Sequence, residues 1–325
     1  MTNMKKLYTI IILLTMFGCN KSDNGKVEAA PLAPNELKAT SDKDKIILTW
    51  KDNSTNETGF KIERKSGSGT WTLHDQIASQ NITTYTDTKA SQLSTYTYRV
   101  FAYNSSGNSS NYSNEITITL PKIIFDGDGN YYQVLTISGL SWTKQNLNVT
   151  KYRNGDIIPQ VTDPAAWNKL STGAWCYLNN DPANGAKYGK LYNWYAVNDK
   201  RGLAPDGWRV ASHGDWVSLT TALGGVNVAG DKMKETGTVF WPSPNSNATN
   251  SSGFSAVPGG SRDYLGTFDN RSLIGYWWTS SPVINSSSQF IWTVVLNANR
   301  SDCIIVGTTA SSTERAGFSV RCVMN

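Results

Sequence analysis

The chain has 325 residues, a formal net charge of +5 and only 17% charged residues. That length holds more than one domain, and so small a charge with no dense Lys/Arg run leaves no electrostatic footprint for nucleic acid. With only two histidines, His74 and His213, neither a His-based triad nor a multi-His metal site can be assembled, so no metal and no cofactor are expected.

Lys5 and Lys6 precede an apolar run over residues 7–17, too short to span a bilayer and fitting the hydrophobic core of an export signal. Gly18-Cys19 follows at once. The junction resembles the lipobox of bacterial lipoproteins, which makes 1–18 the signal peptide and Cys19 the lipidated first residue, although Met16 stands where Leu is usual. The resemblance implies an outer membrane lipoprotein, exposed at the cell surface and touching the membrane through its lipid alone. Residues 19–33 are polar, small and Pro-containing, the composition of a flexible tether.

Residues 34–121 read as the first domain. The stretches 45–50, 59–64 and 96–102 alternate at period two, and clusters such as Asp52-Asn53-Ser54 and Ser66-Gly67-Ser68-Gly69 separate them at the spacing of a β-sandwich. The pattern resembles a fibronectin type III domain, with Trp50 as core Trp and Leu93 with Tyr96 as the tyrosine corner. It has no Cys, and its expected role is that of a spacer.

The second domain, 123–325, opens with Asp126-Gly127-Asp128-Gly129-Asn130. Two readings stand: a hairpin turn with positive backbone angles, or the start of a calcium loop that lacks its bidentate Glu. The spacing of Leu191, Trp194, Tyr195 and Asn198 predicts a helix over 188–197. Ser212-His213-Gly214-Asp215 predicts a capping box for a second helix carrying Trp216, Leu219 and Leu223 and ending at Gly224-Gly225. His213 is expected at the surface, and Arg262 with Asp263 as an ion pair. Most of the 12 Trp are expected to fill the core of a domain poor in regular structure.

Six motifs stand in order along this domain: W-C-Y at 175–177, Y-G-K-L-Y-N-W-Y-A-V at 188–197, L-A-P-D-G-W at 203–208, P-G-G-S-R-D at 258–263, G-Y-W-W-T-S-S at 275–281 and G-F-S-V-R-C at 317–322. They resemble the Fibrobacter succinogenes major paralogous domain, a family of bacterial surface modules. The resemblance implies a mostly β protein: a fibronectin type III sandwich followed by an α+β, C-type-lectin-like domain. It further implies a displayed binder of a glycan or protein ligand, engaged in adhesion or recognition and not in catalysis. A structural envelope component without a ligand is the second reading. A thiol-dependent enzyme of the formylglycine-generating type, with Cys303 and Cys322 brought together, is the third.

The resemblance also favours a disulfide between Cys176 and Cys322, leaving Cys303 free, with Cys303–Cys322 as the alternative. In lectin-like folds the region 278–317 forms the ligand face. The stretches 282–289 and 297–313 are polar, flanking a core-like strand at 290–296. Asn285, Ser287, Gln289, Asn297, Asn299 and Arg300 are therefore the expected ligand-binding residues, offering mixed donors and acceptors. The Glu-Pro-Asn and Trp-Asn-Asp motifs of calcium-dependent sugar binding are absent. Direct contacts are expected instead.

Overall fold

The computed structural model of the protein describes residues 28–269, 273–284 and 289–325. The expected signal segment, Cys19 and the first part of the expected tether lie outside the described residues. The strands of the first domain are β1 (Asn35–Asp42), β2 (Lys45–Lys51), β3 (Gly59–Ser66), β4 (Thr72–Ile77), β5 (Thr84–Asp87), β6 (Thr95–Asn104), β7 (Gly107–Asn108) and β8 (Ile116–Thr119). One sheet runs β1-β2-β5; the other runs β4-β3-β6, with β7 and β8 both on β6. The period-two alternation sends Ile46, Leu48 and Trp50 of β2 against Phe60, Ile62, Tyr98 and Val100. Each such aliphatic side chain contributes roughly 1.5–3 kcal/mol by leaving water. This is the two-sheet sandwich of a fibronectin type III-like domain.

The tyrosine corner is formed, since the Ser91 amide donates to the Tyr96 hydroxyl at 3.0 Å. Leu93 takes a different part: it has φ of +61° and its side chain is exposed. Part of the expected tether is not free. The Ala29 carbonyl accepts from the Asn56 and Asn104 amides, each at 2.8 Å, and the Ala33 carbonyl accepts from Asn53 at 2.9 Å. Pro31 is buried with them, so three asparagine amides strap residues 28–33 along the sandwich.

The second domain opens with β9 (Lys122–Phe125), β10 (Tyr131–Ile137) and β11 (Leu140–Thr143), followed by α1 (Pro164–Asn168), β12 (Trp175–Cys176), α2 (Ala183–Tyr188), β13 (Leu191–Tyr192) and α3 (Trp194–Val197). Next come β14 (Trp208–Val210), α4 (His213–Ala222), α5 (Val226–Met233), β15 (Ser261–Arg262), β16 (Phe268–Asp269), β17 (Ile274–Ile284), β18 (Gln289–Asn297), β19 (Cys303–Thr309), α6 (Ala310–Thr313) and β20 (Cys322–Met324). The largest sheet has the order β14-β20-β11-β10-β9, and a second has the order β17-β18-β19. The terminal strand β20 thus lies between β14 and β11, closing the end of the domain onto its beginning.

The Asp126 turn is a hairpin between β9 and β10, with Gly129 at φ +81°. The Asp126 carboxylate accepts from the amides of Asp128 and Asn130, the Asn130 side chain and the Tyr132 hydroxyl at 2.6–2.9 Å. Its oxygens are spent on the turn rather than turned toward a cation. The capping box of α4 is present: Ser212 Oγ accepts the Asp215 amide at 3.2 Å, and Asp215 Oδ2 accepts the Ser212 amide at 2.7 Å. Trp216 and Leu219 of that helix are buried against Trp142, Phe254 and Trp277.

The helix expected over 188–197 does not form. Gly189, at φ +73°, ends α2 with its backbone so close to Leu147 that a Cβ would stand 2.7 Å from the Leu147 oxygen. Leu191 and Tyr192 then pair with β12, and Asn193 caps the short α3 by accepting the Ala196 amide at 3.0 Å. The apolar spacing was produced by a strand and a helix turn joined at a cap.

So little regular structure leaves many loop carbonyls to be satisfied, and buried cations do it. Arg321, with no exposed surface, donates to the carbonyls of Thr143, Lys144, Phe254 and Ser255 and to Asn146 Oδ1. Arg262 donates to Gly266, Val161 and Thr162 at 2.6–3.0 Å while lying over the Trp167 ring, so it is not paired with Asp263. Asp263 Oδ1 instead accepts the Leu265 and Thr267 amides. Lys234 reaches the carbonyls of Ser246, Asn297 and Arg300. Lys190 holds Asn148 through its carbonyl and side-chain oxygens, and burial pushes its ammonium down to about 8.

Candidate functional site

One face of the β17-β18-β19 sheet is packed and the other is partly open. Trp277, Val294 and Leu296 point into the core beneath α4 and α5. On the opposite side the register places Tyr276 beside Val295 and Thr293 beside Val306. These side chains floor a groove of about 270 Å³, walled by Tyr264, the segment 312–313 and Phe318. Tyr276 stacks on Phe318 at 5.0 Å and 16°, and Phe318 in turn lies 4.5 Å from Trp278.

The groove is apolar and aromatic, with a sparse set of hydroxyls. Val306 and Tyr264 keep 37% and 40% of their surface exposed. Thr293 Oγ1 donates to the Val306 carbonyl at 3.3 Å and Thr308 Oγ1 to the Ile291 carbonyl at 3.4 Å, so both hydroxyls retain acceptor capacity. Rings that can stack beside a few oriented hydroxyls suit a sugar or a peptide side chain held by direct contact.

The expected ligand-binding residues are not gathered in this groove. Asn285 and Ser287 lie outside the described residues, and Gln289 enters only as the first residue of β18, paired with Ile284. Asn297 ends the same strand, paired with Ile274. Eight steps of about 3.3 Å separate Gln289 from Asn297, roughly 26 Å, so no small ligand touches both ends. Asn297 Oδ1 accepts the Asn299 amide at 2.8 Å, and Arg300 forms an ion pair with Asp302. Together with Lys234, these three residues shape the turn into β19.

Residues 297–313 read as a polar loop, yet 303–309 form β19. The signal was there in the alternation of Ile304, Val306 and Thr308, masked by Gly307 and the flanking Ser and Thr. Tyr264 gave no signal, because its exposure is set by the turn that Asp263 caps.

Cys176, Cys303 and Cys322 are free and buried, so the expected Cys176–Cys322 disulfide is not formed, and neither is Cys303–Cys322. They belong to separate cores: Cys176 packs with Trp167 and Leu191, Cys303 with Trp216 and Leu296, and Cys322 with Tyr132 and Tyr192. Burial pushes each thiol up to about 12. A copper-holding pair needs thiolates side by side, and Cys303 with Cys322 offers the opposite. His213 is half-exposed and lies on the Trp292 ring at 4.3 Å.

The first domain holds a charged cluster that the sequence reading missed. The fully buried Asp87 accepts from Arg64 and Tyr98, each at 2.7 Å, and stands 3.1 Å from His74 Nε2. Burial alone would raise its carboxyl, but His74 beside it and hydrogen bonds from Tyr98, the Lys89 amide and Arg64 outweigh this and hold it well below the usual range.

The model of the Fibrobacter succinogenes major domain matches residues 135–324. The chain is 35% identical over 116 residues to an amylopullulanase of Thermoanaerobacterium saccharolyticum, and 35% identical over 119 residues to one of Thermoanaerobacter thermohydrosulfuricus. Each match covers 35% of this chain but only 9% and 8% of those relatives. Among solved structures, a Fn3-like protein from Clostridium thermocellum is 27% identical, covering 30% of this chain and 99% of that one with a TM-score of 0.24. The FN1-FN3 domains of chicken CNTN1 are 17% identical, covering 29% of this chain and 33% of theirs with a TM-score of 0.26.

Proposed function

This chain belongs to the Fibrobacter succinogenes major domain family, and from that premise we propose that it is a bacterial surface lipoprotein whose C-terminal domain binds a glycan or protein ligand. Cys19 carries the anchor, the strapped sandwich stands as the spacer, and the C-terminal domain, read as C-type-lectin-like, presents the groove on β17-β18-β19. The observation that carries the reading is that groove: a sheet face on which Tyr264, Tyr276, Val295, Val306 and Phe318 line one open apolar and aromatic surface. The placement of β20 beside β11 supports the lectin-like reading. Binding is preferred over catalysis because Lys190, Arg262, Asp263 and Arg321 of the family motifs are engaged in holding loops.

Glycan and protein arrays probed with the mature chain test the proposal. Capture of a defined glycan or protein, lost when Tyr264 and Val306 are replaced, supports it. No capture by either array favours a purely structural envelope component.

A further inference from the structure

A larger cleft of about 680 Å³ lies elsewhere on the second domain and shares no lining residue with the sheet groove. It runs between β10, the stretch after β11, α2 and the loop that carries Glu235 and Phe240. Its size falls within the range of about 300–1,000 Å³ usual for small-molecule sites. The aromatic surface comes from Tyr131 and Phe240, the latter fixed edge-to-face on Tyr188 at 6.3 Å.

The charge is one-sided. Lys144 and Lys187 line the cleft, and neither ammonium has an ion-pair or hydrogen-bond partner among the described residues. Lys43 of the first domain enters beside them, its ammonium 5.6 Å from the Tyr131 ring centre. Behind the wall, Asn148 is held by the buried Lys190, whose near partners are neutral oxygens at 2.6 and 2.8 Å. Asp126 and Asp128 act on Lys190 from farther away, with their carboxylates already engaged by Tyr132 and Thr150. Glu235 is the acid in the lining, and its Oε2 accepts from Asn250 at 3.1 Å. Gln133 adds an amide side chain without a partner of its own.

We propose that this cleft is a second binding site, one that takes an acidic oligosaccharide. Sugar rings lie against Tyr131 and Phe240, hydroxyls meet Gln133, and carboxylate or sulfate groups meet Lys144 and Lys187. A neutral glycan would leave two unpartnered ammoniums without an anion, whereas an acidic one forms charge-assisted hydrogen bonds with both.

Isothermal titration of the mature chain with a short oligogalacturonate, a heparin-derived oligosaccharide and a neutral maltooligosaccharide of similar length tests this. At least one acidic saccharide should bind, more weakly as salt rises, and the two acidic probes tell carboxylate from sulfate preference. K144A/K187A should lower that affinity about tenfold or more with an unchanged melting temperature, while Val306→Ser in the sheet groove leaves it unaltered. The site is overturned if neither acidic probe binds, if the maltooligosaccharide binds as well, or if K144A/K187A binds like the parent. Equal binding of a single-stranded oligonucleotide would also overturn it, reducing the cleft to a nonspecific cationic patch.

Discussion

Arg321 and Asn146 meet at the centre of the second domain: the guanidinium Nε donates to Asn146 Oδ1 at 2.7 Å, and the same oxygen accepts Trp277 Nε1 at 2.8 Å. Two family motifs, G-F-S-V-R-C and G-Y-W-W-T-S-S, are thereby tied to one asparagine. Arg321→Met removes the donor for several buried carbonyls and should destabilise the domain by about 3 kcal/mol or more. Denaturant titration of the full chain, following the second domain's Trp fluorescence, reads this out. A loss below about 1 kcal/mol would show that the carbonyls find other donors.

The Asp87 cluster sets an acid limit on the first domain. Its folded carboxyl lies below the ordinary 3.8, so its contribution is complete above that pH and is lost as the pH falls through and below it. Asp87→Asn should cost roughly 2–3 kcal/mol at neutral pH by leaving the partly buried Arg64 without its anion. It should also flatten the acid limb of the stability profile. An acid limb identical in parent and variant would place the titration elsewhere.

All three buried thiols should resist alkylation in the native state and react after unfolding. Mass spectrometry of the non-reduced mature protein should then find each of them alkylated. A Cys176–Cys322 peptide as the major species would show that two cores rearrange to bring these residues together.

Membrane attachment should depend on Cys19. Cys19→Ser should leave the protein in the aqueous phase of a detergent partition, since the apolar run at 7–17 is too short to hold it. Unchanged membrane retention with the signal cleaved would remove the lipoprotein reading.

What could be read from the sequence followed from local rules. Period two on β2, β3 and β6 gave the sandwich, and Ser212 with Asp215 gave the start of α4, because alternation and capping are properties of neighbouring residues. The helix over 188–197 failed for the complementary reason: its apolar spacing is that of helix, but Gly189 and Asn193 interrupt it through contacts with Leu147 and the Ala174 amide. Arg262 looked paired with its neighbour Asp263, yet its partners are some hundred residues away at Val161 and Thr162. The ligand face is expected among polar side chains between 285 and 300, whereas the groove on β17-β18-β19 is lined mainly by Tyr264, Tyr276, Val295, Val306 and Phe318. The family motifs carry residues that hold carbonyls and fill cores, such as Arg262, Arg321 and Trp277, so they mark the fold of the family.

The proposed division between motif residues that hold the fold and a sheet face that binds a ligand is tested most directly by one paired measurement. Thermal melts and array binding are compared for the parent, for Tyr264→Ala with Val306→Ser, and for Trp216→Ala. The groove variant should melt like the parent, since exposed substitutions usually change stability by less than about 0.5 kcal/mol each, and should lose the captured ligand. Trp216→Ala, a truncation of a buried ring, should cost about 3–5 kcal/mol and lose binding only as the domain unfolds. A groove variant that binds like the parent would contradict the account and place recognition on another surface.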